Sequence, residues 1–202
     1  MPKETMTSRE RWLAVLTRQR PDRVPMDYWA TSEATDKLCR YLGCDFDEAL
    51  RRLHIDIPLP VSGRYVGPKP PEGEDVWGLR HKGISYGTGT YYEVVNAPLG
   101  EYTSVAEIER NYRWPTADDW DVSHLPDRVN GKDDRPVRGG YCEPFLLYCQ
   151  LRGLEQAYQD LVENPEIVEY CLGKLFDLAP ETPRRIFETI PGRVTFCYVA
   201  ED

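Results

Sequence analysis

Two places in this 202-residue sequence set carboxylates at the end of an apolar run. Asp56 closes the short stretch "LHID", and Glu201 and Asp202 close the terminal "VTFCYVAED". Adjacent acids at a strand end can bind a cationic or hydrogen-bonding ligand, or act as acid and base. An aspartate in that position also caps a turn, and an acidic pair is ordinary at a solvated chain end. Trp29, at the end of "RVPMDYW", and Arg64, in the loop after Asp56, are candidate substrate contacts. Cys39, Cys44, Cys142, Cys149, Cys171 and Cys197 contain no CxxC pair, and His54, His81 and His124 lie far apart. That spacing reads as free buried thiols in a reducing compartment and gives no metal site.

These residues need elements to hold them. Thr7 and Glu10 form a capping box ahead of Trp12, Leu13 and Leu16, so a helix opens the chain. Pro21 ends it, and a first strand is expected over 24–29. Two helical stretches follow at 36–42 and 45–53, with Gly43 as the stop between them. "HIDIPLPVSGRYVGP" reads as a second strand running into a Gly/Pro loop. From 68 to 99 the alternating glycines and aromatics predict an antiparallel hairpin excursion. A short capped helix at 104–110, a third strand at 135–141 and a helix at 145–151 come next.

Asn164, Pro165 and Glu166 start a long helix whose apolar face runs through Ile167, Val168, Cys171, Leu172, Leu175, Phe176 and Ala179. Pro180 is expected to kink or end it, with a new start at Thr182 and Pro183. A fourth strand over 193–199, apolar on both faces, then leads to the terminal acids. Strands buried on both sides belong to parallel sheets covered by helices. The alternation therefore predicts an α/β fold whose strands run in one direction, with their C-terminal ends opening on one face.

The composition narrows the function classes. A 41% hydrophobic content with 29% charged residues is that of a globular protein, and no run of about 18 apolar residues suggests a membrane span. The opening "MPKETMTSRERW" lacks an apolar signal core, so a cytoplasmic location is expected. A net charge of −9 with arginines scattered among acids argues against a nucleic-acid partner.

The stretches "SRERWLAVLTRQRPDRVPMDYW", "VWGLRHK", "YYEVVNAPLGEYTSVAEIERNYRWP", "LRGLEQAYQDLVENPEIVEYCL" and "VTFCYVAED" together resemble the uroporphyrinogen decarboxylase superfamily, which includes corrinoid-linked methyltransferases. They cover nearly the whole chain in the family's order. The resemblance implies a (β/α)8 TIM barrel of roughly 350 residues, of which residues 1–202 would be the N-terminal part of one domain, with the first four strands present and the C-terminal half missing. Half a barrel leaves sheet edges open. These residues alone would then be inactive and loosely packed, would aggregate, or would form a homodimer through the open edge.

The resemblance also assigns residues. Asp56 matches an aspartate that holds pyrrole nitrogens, Tyr148 in "EPFLLYCQLRG" is the counterpart of a catalytic tyrosine, and Glu201 and Asp202 fall at the fourth strand's mouth. The apolar neighbours of Tyr148 equally fit packing in a helix core. The arginine pair of true decarboxylases is replaced by Ala30 and Ala34, which removes the bidentate partners of an eight-carboxylate substrate. The implied function of the full-length protein is corrinoid-linked methyl transfer, with a small-molecule or corrinoid-protein substrate. Zinc and a corrinoid would be its cofactors, the zinc ligands lying in later strands. Decarboxylation of uroporphyrinogen or a modified tetrapyrrole, and a non-catalytic binding protein, are the alternative readings.

Overall fold

A computed structural model describes residues 4–200. The N-terminal capping box forms as expected: the Thr7 hydroxyl accepts from the Glu10 amide, Glu10 answers on the Thr7 amide, and α1 runs Ser8–Leu16. Helix α2 (Ser32–Leu42) is capped by Thr31 and stops at Gly43, whose φ of 64° is the left-handed turn that glycine takes without strain. Helix α3 (Phe46–Arg52) starts from the Asp45 cap.

The segment 24–29 is extended but is not a strand. Pro25 removes a ladder donor, and its tie to the second strand region is the Asp56 amide donating to Met26 O at 2.6 Å. The second strand also starts later than the sequence suggests, as β1 (Leu59–Val61). Before it, the Ile55 amide turns back to Leu50 O and Pro58 has no amide to give.

An excursion follows. Strands β2 (Arg64–Tyr65) and β5 (Trp120–Asp121) pair antiparallel, and β3 (His81–Ser85) and β4 (Thr90–Val94) form the expected hairpin with Gly83 opposite Tyr92. Between them lies α4 (Val105–Asn111), capped by Ser104, and the short α5 (Leu125–Val129) comes after β5. Strand β6 (Val137–Cys142) then runs parallel to β1, Leu59 opposite Val137 and Val61 opposite Gly139.

Helices α6 (Pro144–Arg152), α7 (Leu154–Glu163) and α8 (Pro165–Thr189) lead to β7 (Phe196–Val199). The sheet order is β1-β6-β7. The Thr195 amide donates to Val137 O and the Ala200 amide to Cys142 O, the same offset at both ends, so β7 also runs parallel to β6. The fold is therefore mixed α/β with a small parallel sheet and several helices. The described residues form no closed barrel.

Two further expectations are corrected. Helix α8 does not end at Pro180 or restart at Thr182 but continues through Pro180 and Pro183. Its inward positions keep a helical period, with Val168, Cys171, Leu175 and Ile186 all buried, and this packing outweighs the two lost amide bonds. Strand β7 is not buried on both faces: Phe196 is half-buried, and Cys197, Tyr198 and Val199 are exposed.

The chain divides into two compact units. The first comprises Met1–Ser62, Ser123–Gly140 and Ile186–Cys197. Its buried apolar residues include Leu50, Leu59, Leu125, Val137, Ile186 and Ile190. The second comprises Gly63–Val122, Tyr141–Arg185 and Tyr198–Asp202, with a core around Leu99, Ile108, Tyr148, Leu151, Ile167 and Cys171. None of the six cysteines is in a disulfide, and Cys149 and Cys171 are buried. None of the helices among the described residues is long and apolar enough to cross a membrane.

Candidate functional site

Ser8, Arg11 and Trp12 stand at i, i+3 and i+4 on α1, which places them on one helix face. All three reach Asp56. The Ser8 hydroxyl donates to Oδ1 at 2.8 Å, Arg11 Nη1 donates to Oδ1 at 2.5 Å, and Trp12 Nε1 donates to the Asp56 carbonyl at 2.9 Å. Arg23 supplies a second guanidinium, Nη1 to Oδ2 at 2.6 Å and Nη2 to Oδ1 at 3.1 Å, and the Met26 amide completes the set on Oδ2 at 3.0 Å.

Burial opposes ionisation of Asp56, whose exposure is 1%. The hydrogen bonds from Arg23, the Met26 amide and Ser8, with the Arg11 charge behind them, outweigh that and hold its carboxyl below the ordinary value. A carboxylate held by this many donors stays ionised at neutral pH and is a poor proton acceptor. Its geometry suits positioning better than acid–base work.

The same guanidiniums bind further acids. Arg11, itself 1% exposed, meets Asp22 through Nε at 2.6 Å and Nη2 at 3.0 Å. Asp22 also accepts the amides of Thr5, Met6 and Arg23. The Arg11 bond foremost, against burial and aided by those amides, depresses the Asp22 carboxyl far below its usual range. Glu4 Oε1 bridges Arg23 Nε at 2.7 Å and His54 Nδ1 at 2.6 Å. The result is a knot of three acids and two arginines that ties the N-terminal segment, α1 and the 22–26 stretch to Asp56.

What leaves that knot lines a depression. Met26 is pinned to Asp56 by both its backbone groups. Three residues later Trp29, 68% exposed, begins the wall of an open depression of about 700 Å³. Tyr28, Ala30, Thr35, Asp36, Phe46 and Ile57 complete most of it. The Tyr28 hydroxyl and Thr35 Oγ1 lie 3.1 Å apart, and the Tyr28 and Phe46 rings are 5.5 Å apart, so the aromatic wall is braced from α2 and α3. The Arg138 guanidinium, from β6, sits 6.0 Å from the Trp29 ring centroid. Among the described residues no acid pairs with it.

The other expected site residues fall elsewhere. Arg64, exposed on β2, stands opposite Asp121 in the second unit. Tyr148 is fully buried in that unit's core, its hydroxyl 3.3 Å from Asp160 Oδ2, and burial first, then the Asp160 charge, raises its pKa. Asp160 also takes Arg152 Nε at 2.5 Å, while Arg152 Nη1 donates to the carbonyls of Leu99 and Tyr102. Glu201 and Asp202 lie outside the described residues. No three His, Cys, Asp or Glu side chains gather as a metal ligand set among the described residues.

Asp56 and Trp29 thus meet through one segment. Arg11, Asp22, Arg23 and Arg138 were not foreseen from the sequence. The i, i+3, i+4 spacing of Ser8, Arg11 and Trp12 is a local signal for a shared polar target, but nothing local names Asp56 as that target. Comparison with known proteins found no matching family model, curated protein or solved structure for this chain.

Proposed function

We propose that this chain is the early part of a (β/α)8 barrel of the uroporphyrinogen decarboxylase type, and that the whole protein transfers methyl groups with a corrinoid. The observation carrying the reading is the depression walled by Trp29 and Ala30 at the end of the segment pinned to Asp56. Ala30 is one of the two positions where the resemblance expects an arginine of the decarboxylases. An apolar, aromatic wall there suits the flat face of a large ring better than a cluster of carboxylates. The three parallel strands in chain order and the helices between β6 and β7 are consistent with successive β/α steps.

In this reading Asp56 is a positioning residue. It holds Met26 and thereby the Tyr28–Phe46 wall, and Trp29 supplies the contact surface. Zinc, on ligands from later strands, would supply an activated thiolate to accept the methyl group. The partners are a small-molecule or corrinoid-protein substrate and a second copy in a homodimer, and the location is the cytoplasm.

Arg138 favours one alternative. A guanidinium with no acid partner among the described residues, beside the wall, can take a carboxylate, as decarboxylation of a modified tetrapyrrole would require. Two assays on the product of the complete coding sequence separate the readings. Methylcobalamin with a thiol should lose its methyl group, while uroporphyrinogen should not turn over. Conversion of uroporphyrinogen to coproporphyrinogen would replace the first reading with the second, and inactivity toward both, with retained binding, would leave a binding protein.

A further inference from the structure

The strongest surface feature outside the depression lies on α7, in the second unit. Leu154, Tyr158, Leu161 and Val162 are exposed by 62%, 52%, 46% and 85%. Their i, i+4, i+7, i+8 spacing puts them on one stripe about 100° wide, next to the face that buries Ala157 and Asp160. Tyr158 is held from below by an edge contact with Phe145, ring centroids 6.1 Å apart, so the stripe is braced. An amphipathic helix normally has one apolar face. This one has an inner face and an outer one, and the outer face has no partner among the described residues.

The charges carried by α7 and the start of α8 decide what fits it. From Leu154 to Gly173 the sequence contains no Lys, Arg or His. Glu155, Glu163, Glu166 and Glu169 are all exposed, whereas Asp160 is buried and neutralised by Arg152. An anionic membrane or a nucleic acid would be repelled. A second copy of the same stripe would bring these acids against themselves.

We propose that the outer face of α7 docks a basic amphipathic helix of a partner protein, apolar residues on the stripe and lysines or arginines against the glutamates. The inference is independent of the chemistry proposed for the depression.

The test uses the product of the complete coding sequence and a fluorescein-labelled synthetic helix of about 15 residues, leucine at i, i+3, i+4 and i+7 and lysine elsewhere, read by anisotropy. Saturable binding that weakens with added salt is expected. Leu154→Ser with Val162→Ser should weaken it by roughly tenfold with an unchanged melting temperature, because both side chains are already exposed. A peptide with glutamate in place of lysine should not bind. Absence of binding, or equal binding by the double variant, would overturn the proposal. So would dissociation of a dimer by the double variant without peptide, since a second copy would then be the occupant.

Discussion

Arg23 grips both oxygens of Asp56, Nη1 on Oδ2 at 2.6 Å and Nη2 on Oδ1 at 3.1 Å, while Arg11 approaches Oδ1 from α1 at 2.5 Å. The two arginines come from either side of the turn at Pro21, and the aspartate lies more than thirty residues farther along the chain. One buried carboxylate thus fixes a helix and the extended segment that follows it.

Asp56→Asn should be severely destabilising. It leaves Arg11, 1% exposed, with less compensating charge, and breaking a buried pair costs about 3–5 kcal/mol. Arg51→Ala is the control, since its bond to Glu48 is solvent-exposed and exposed pairs contribute about 0–1 kcal/mol. Urea titration of both variants checks the contrast. Equal midpoints would show that the knot contributes no more than a surface pair.

Acid should loosen the same knot. Asp22 and Asp56 have folded-state pKa values below their unfolded ones, so the unfolded chain binds more protons as pH falls. Their stabilisation is complete above the ordinary carboxyl value of about 4 and is lost as pH drops below it through the folded values. Melting temperature measured down from pH 6 should fall steeply below about pH 4 in the native protein and less steeply in Asp22→Asn. Parallel curves would contradict the assignment.

Helices α1 to α4 and α6, the hairpin and β6 were legible because their signals are local: Thr7 with Glu10, Gly43, Ser104, and the alternation on either side of Gly87. The segment 24–29 misled because its composition is that of a strand while Pro25 withholds a ladder donor. Helix α8 misled in the opposite sense, since its buried period carries it across two prolines. Of the site, Asp56 and Trp29 could be picked out singly. Their coupling could not, because it passes through side chains of α1 and the Asp22–Arg23 turn, distant from Asp56 in the sequence.

Gly139 should tolerate no side chain without rearrangement. A Cβ there would lie 3.0 Å from both methyls of Val194 and 3.4 Å from Ile186 Cγ2, inside the sheet where β6 faces the end of α8. Gly139→Val should cost about 1–3 kcal/mol by overpacking, measured by denaturant midpoint. A neutral effect would mean that the 193–195 stretch can move away freely.

Tyr148→Phe separates core packing from catalysis. The hydroxyl makes a long 3.3 Å bond to Asp160, which Arg152 also holds, so its loss should cost about 1 kcal/mol and leave turnover by the complete protein unchanged. A large fall in kcat with normal stability would give Tyr148 the chemical role that its resemblance implies.

Trp29→Ala in the product of the complete coding sequence tests the depression most directly, through the steady-state kinetics of thiol-dependent methylcobalamin demethylation. Trp29 is 68% exposed, so the fold should be unaffected, and the removed surface should raise KM by roughly tenfold with kcat nearly unchanged. A variant with native KM, or a native protein that neither binds nor demethylates methylcobalamin, would contradict the account.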